Sequence, residues 1–152
     1  MAYVTREAQE QLLGTVAEAT DEIGVALAAL GAAYEQLDER SADRLEEQLF
    51  RPVQVAYGRA RRTHAGFAER HGLPGRTFEP AAAGAPSHGV KGFLDAALDA
   101  VAEADAELAE LQDSMRPVEV GDAELRAGLA DVRELLADVR ARADGLLRTF
   151  GR

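Results

Sequence analysis

Apolar residues recur along most of this chain at alternating steps of four and three. In the first segment they fall at Leu12, Val16, Ala19, Ile23, Ala26, Leu30, Ala33 and Leu37. The same rhythm returns at Val90, Leu94, Ala97, Val101, Ala104, Leu108, Leu111 and Met115, and again at Leu125, Leu129, Val132, Leu136, Val139, Ala143, Leu146 and Phe150. A step averaging about 3.5 residues keeps one stripe of a helix apolar over many turns, the seam along which helices pack side by side. The segment in between is less regular: Leu45 and Leu49 lead into Pro52, and the seam resumes as Val53, Tyr57, Ala60, His64, Phe67 and His71 after a second step of four. Proline removes one helical hydrogen bond and crowds the preceding turn, so a kink or short break is expected there, a stutter in the pattern. No alternating β-branched run competes, and no sheet is expected.

Turn chemistry sets the boundaries. The pattern predicts helices over about 4–37, 41–71, 89–115 and 122–150. Asp38 to Ser41 and Arg116-Pro117 to Gly121 are short enough to fold their flanking helices into antiparallel hairpins, and Asp122 is the expected N-cap of the last helix. The connection over 72–88 is long and rich in Gly, Pro and Ala, which reads as a mobile surface crossover, with an active-site lid as the alternative. The expectation is one domain, 1–152, folded as an all-α, up-down-up-down antiparallel four-helix bundle with helix 2 kinked near Pro52.

Composition and charge narrow the function classes. With 152 residues and 47 % hydrophobic content the chain can bury a core. A net charge of -10 disfavours nucleic acid and anionic membrane surfaces. Residues 1–40 hold two basic against eight acidic side chains and residues 88–115 one against seven, whereas 41–76 are net basic. In a bundle closed in chain order the two acidic helices are diagonal, and each neighbours only helices 2 and 4. There is no cysteine, so disulfides and thiolate metal sites are excluded. The longest apolar run, residues 23–34, is too short to span a bilayer, and the start of the chain carries no leader-like apolar stretch. A soluble, cytoplasmic protein is expected.

Motifs for di-iron, zinc-protease, phosphate-loop or serine-elbow chemistry do not occur, so a non-catalytic protein is expected. The polar departure from the seams is Tyr57, His64 and His71, seven residues apart. Two helical turns separate neighbours by about 10 Å, too far for two histidines to hold one metal ion. A small organic or haem-type ligand lying along the seam could meet them. Pairing the helices in chain order puts His64 level with Ala97 and Ala143, whose small side chains would leave it room. The plainer reading makes His64 a packed core residue and His71 a cation at a helix C-terminus. His71 and His88 with Glu79 are the candidate metal ligands if the middle connection closes. Arg59, Arg61 and Arg62 form a basic run that could hold an anion or an acidic partner, or simply pair with carboxylates of neighbouring helices.

Residues 23–34, IGVALAALGAAY, are apolar on every face, and a helix of that kind needs cover all round. Gly24 and Gly31 lie on a small-residue stripe that lets another helix approach closely, with Val25, Leu27 and Ala28 beside it. These residues predict a homodimer through helix 1. The functional expectation is therefore a non-catalytic interaction or assembly module without a cofactor, and the alternative is a bundle binding a small molecule, metal or haem-type ligand at Tyr57, His64 and His71.

Overall fold

The computed structural model describes residues 5–80, 82 and 89–150. Every regular element among them is helical: α1 (Arg6–Glu35), α2 (Glu39–Leu45), a π-helical turn (Glu46–Phe50), α3 (Arg51–Arg70), α4 (Gly89–Asp113), α5 (Arg116–Val120) and α6 (Ala123–Phe150). The caps explain where the long helices begin. Thr5 Oγ1 accepts a hydrogen bond from the Ala8 N–H, and Asp38 accepts one from the Ser41 N–H at 2.8 Å. Asp122 accepts one from the Leu125 N–H at 2.9 Å, as its position before α6 predicts. Between α4 and α6 the chain turns twice through left-handed backbone, at Met115 (φ 63°) and at Gly121 (φ 74°), with α5 between.

The irregularity expected near Pro52 takes a definite form. The Arg51 N–H bonds to Glu46 O, five residues back, and Pro52 follows without an N–H to place. One extra residue in that turn accounts for the second step of four in the seam. α2, the π turn and α3 thus run on as one helical rod.

Four rods pack pairwise: α1 most extensively on α4, α3 on α6, and then α1 on α3 and α4 on α6. All four contacts are antiparallel. Gln9 meets His71 across α1 and α3, and Arg59 meets Asp131 and Arg70 meets Asp122 across α3 and α6. Arg133 reaches back to both Asp105 and Gln112 on α4. Across α1 and α4, Thr15 and Glu18 line one groove with Glu107, Glu110 and Leu111, while Glu22 sits near Glu103. The order is therefore up, down, down, up, which corrects the expected up-down-up-down order. The physical reason lies in the middle connection. At about 3.3 Å per extended residue, the seventeen residues 72–88 can reach about 56 Å, more than the roughly 37 Å length of α4, which is enough to join the end of α3 to a start of α4 at the opposite end of the rods.

This order also corrects the charge argument, because the two acidic helices are neighbours and not diagonal. Buried alanines on both, Ala26 and Ala33 on α1 with Ala97 and Ala104 on α4, let the axes approach. Glu18 and Glu22 consequently share a face with Glu103, Glu107 and Glu110. Burial first, and then repulsion from Glu22, Glu18, Glu103 and Glu110, raises the Glu107 pKa; burial with repulsion from Glu103 and Asp21 raises that of Glu22. The Glu107 Oε2 is buried without a hydrogen-bond partner. Glu107→Gln is expected to stabilise the protein at neutral pH by about 1 kcal/mol. The native state holds the Glu107 proton more tightly than the unfolded chain, so the penalty builds between the ordinary carboxyl pKa and the raised one and is complete above it, and the gain from the substitution fades as pH falls through that window. Thermal melts of both proteins at neutral and mildly acidic pH test this, and a variant no more stable than the parent at neutral pH contradicts it.

Candidate functional site

The middle connection decides what the histidine seam can do. Gly72 turns through a left-handed φ of 63°, and the Leu73 N–H bonds Ala68 O at 2.8 Å, closing α3 as its side chain buries. The next residues lie as a strap across α1 and α3. Arg76 donates two hydrogen bonds to the Asp21 carboxylate, at 2.8 and 2.9 Å, and its guanidinium stacks over Phe78 at 4.2 Å. Phe78 meets the His64 ring edge-on at 4.9 Å, and Pro80 lies over Gly24. The expectation of a mobile connection is corrected for 72–80, which these contacts hold down.

Beneath the strap, His64 is 2 % exposed and its Nδ1 has no hydrogen-bond partner. Burial first, and then the positive charge of Arg76 against the opposing charge of Asp21, lowers its pKa, so the ring stays neutral. Tyr57 is buried against Gly24 with Arg61 4.7 Å above its ring, and burial raises its phenol pKa. Ala97 and Ala143 are buried, but they do not oppose His64. The Arg59–Asp131 and Arg70–Asp122 pairs put His64 level with residues 126–129 of α6, about 20 Å along the axis from Ala143. The chain-order register fails because α3 and α4 run parallel. The cavity between the rods near that level, lined by Thr20, Thr63, Leu108 and Leu129 among others, holds about 10 Å³, room for a single water at most.

His71 belongs to a different cluster. Its Nε2 lies 2.9 Å from Asp122 Oδ2, and its Nδ1 lies 3.4 Å from Gln9 Nε2. The carboxylate can only accept, so Nε2 carries the proton and Nδ1 accepts from the amide. Arg70 clamps the same carboxylate through Nε and Nη2, both at 2.9 Å. This cluster ties the start of α1 and the end of α3 to the start of α6. Glu79 acts at the other end of the seam, where its charge bears on Tyr57, about 21 Å of helix from His71. The structure does not bring His71 and Glu79 together, His88 lies outside the described residues, and no group of three or more metal-binding side chains occurs among the described residues.

The basic run divides. Arg59 donates two hydrogen bonds to Asp131, as the plainer reading expects. Arg61 and Arg62 instead turn back over Gly58. On α1, Gly24 is covered by Tyr57 and Pro80, Gly31 faces Phe50, Ala28 is half-buried and Leu27 is only 8 % exposed. The all-round apolar run is thus largely covered from within the chain, leaving Val25 and Tyr34 exposed. A larger open feature lies between α3 and α6, a groove of about 440 Å³ lined by Val55, Arg59, Arg62, Asp131, Glu134, Leu135 and Asp138. Val55 is 50 % exposed there.

Sequence reasoning missed Arg76 and Phe78 because a Gly- and Pro-rich stretch gives no periodicity to place them. It found Asp122 as a cap, but the Arg70 and His71 contacts need the α3–α6 pairing to be seen. No helix among the described residues is long and apolar enough to cross a membrane. The chain matches no protein-family model, no curated protein and no solved structure.

Proposed function

We propose that the four rods close as a four-helix bundle, bent at the π turn before Pro52, and that it works as a non-catalytic interaction module pairing with a second copy of itself. The observation that carries this reading is the α3–α6 groove: half-exposed Val55 beside Leu135, with Arg59 and Arg62 along α3 and Asp131, Glu134 and Asp138 along α6. A two-fold axis over the groove sets the arginine row of each copy against the carboxylate row of the other and buries Val55. The strap occupies the outer side of the His64 seam where a ligand would lie, which favours an interaction role over cofactor binding. The cover that α1 receives from Tyr57, Pro80 and Phe50 moves the proposed contact from helix 1 to the α3–α6 face.

Sedimentation velocity at about 100 μM tests it, in the range where a standard-sized interface is occupied. The expected species has twice the 16.2 kDa chain mass. Val55→Glu yields monomer, Arg62→Glu weakens the dimer, and Arg62→Glu with Glu134→Arg recovers part of the loss because one position in each row exchanges sign. A parent protein that stays monomeric contradicts the proposal.

A further inference from the structure

We infer that the groove between α3 and the strap is a binding site for a soluble phosphate monoester with a flat apolar body. It is lined by Gly58, Arg61, Arg62 and Ala65 of α3 and by Arg76, Thr77 and Phe78 of the strap, about 380 Å³ in all. That volume suits a small ligand. Three guanidiniums line it and no carboxylate does, in a chain whose net charge is -10.

Arg61 and Arg62 are placed without a carboxylate partner among the described residues, while Arg76 is bonded to Asp21. A Cβ built at Gly58 would lie 3.2 Å from Arg62 Nη1 and 3.9 Å from Arg61 Nη2, so the two like charges converge over the bare backbone of one glycine. Arg61 is held from beneath by the Tyr57 ring, 4.7 Å from the centroid. Within one copy Arg62 forms no ion pair among the described residues, and it borders both this groove and the α3–α6 groove. Arg76 is oriented by its two bonds to Asp21 outside the groove and by the ring of Phe78. The like charges of Arg61 and Arg62, converging over Gly58, repel one another, and an oxyanion with several acceptor oxygens relieves that repulsion while engaging guanidiniums bidentately. Thr77 lines the groove and offers a hydroxyl donor, and Phe78 with Ala65 offers an apolar wall to the body of the ester. Arg61 and Arg76, already held by Tyr57 and by Asp21 with Phe78, lose little side-chain entropy on binding. The negative field of the rest of the surface argues against an anionic bilayer as the source of the phosphate.

The test is a calorimetric titration of the full chain with phenyl phosphate at low ionic strength, beside benzoate, a glutamate-rich peptide and phosphatidic-acid vesicles. Phenyl phosphate is expected to bind and benzoate to bind at least about tenfold more weakly, since a dianion meets more donors. Arg61→Ala with Arg62→Ala weakens phenyl phosphate by about tenfold or more, while Arg140→Ala, a distant cation, leaves it unchanged. Both arginines are exposed, so circular dichroism should report unchanged folding of the double variant. Gly58→Ala, whose Cβ crowds Arg62, also weakens binding. Phenyl phosphate affinity that is absent, matched by benzoate or the acidic peptide, or untouched by the double substitution overturns the site. Binding to the vesicles without binding to phenyl phosphate overturns the soluble-ligand assignment.

Discussion

Gly128→Ala is expected to cost about 3 kcal/mol of stability or more, at the upper end of overpacking substitutions. Gly128 sits on α6 where that helix crosses α3, and its missing side chain is where Thr63 packs. A Cβ at 128 would run into the Thr63 hydroxyl and lie 2.7 Å from Thr63 Cγ2 and 3.0 Å from its Cβ. Neither helix can give way easily, because Thr63 is buried and its hydroxyl donates to Arg59 O at 2.8 Å. Thr63→Ala in the Gly128→Ala background removes both atoms of worst overlap and should recover most of the loss. Urea melts of the two single variants and the double variant measure this coupling. A Gly128→Ala protein within about 0.5 kcal/mol of the parent, the scatter of harmless surface changes, contradicts the close approach of α3 and α6.

Asp122→Ala should be similarly damaging, by about 3 kcal/mol, because one carboxylate makes three kinds of contact. Its side chain is 5 % exposed; it caps α6, receives both nitrogens of the Arg70 clamp and accepts from His71. Burial alone would raise its pKa, but the bonds from Arg70, from the Leu125 N–H and from His71 overcome this and hold it at about 2, against an ordinary 3.8. A carboxylate whose folded pKa is lowered contributes stability that is complete above the ordinary pKa and is lost as pH falls through the folded one. The loss therefore falls between about pH 4 and pH 2 and amounts to about 2 kcal/mol. Denaturant melts should show the gap between parent and Asp122→Ala wide at neutral pH and narrowed by that amount at about pH 2. A gap independent of pH contradicts the charge clamp. Asp122→Asn, which keeps an acceptor for the cap but loses the charge, should fall between the two.

The helices were legible because their seams are local: Leu12 to Leu37 and Leu125 to Phe150 repeat without needing any partner. Asp38 and Asp122 announced themselves as caps for the same reason. Helix order was not legible. Seam periodicity says that a face is buried but not against which neighbour, and the deciding element, the 72–80 strap, has no periodicity. Its anchors, Arg76 on Asp21 and Phe78 on His64, are single contacts between residues far apart in sequence. Charge patterning misled because exposed pairs are worth little and burial of the alanine-rich faces outweighed repulsion between Glu22 and Glu107. At the seam, Tyr57, His64 and His71 recur every seven residues, but the structure places Tyr57 against Gly24, packs Phe78 of the strap on His64 and engages His71 with Asp122. The basic run could be seen in the sequence, yet only the structure separates paired Arg59 from the converging Arg61 and Arg62.

The α3–α6 face follows from the up-down-down-up order, so that order is the claim to test first. The chain has no cysteine, which makes paired spin labels straightforward. Electron–electron double resonance on Glu18→Cys/Glu110→Cys and on Glu18→Cys/Lys91→Cys reads the direction of α4 against α1. The account predicts a short distance for the first pair, about 15 to 20 Å with the labels, and about 30 Å for the second, from the helical rise over the residues between 91 and 110. A long first distance with a short second one would mean that α4 runs parallel to α1, and would contradict the crossover.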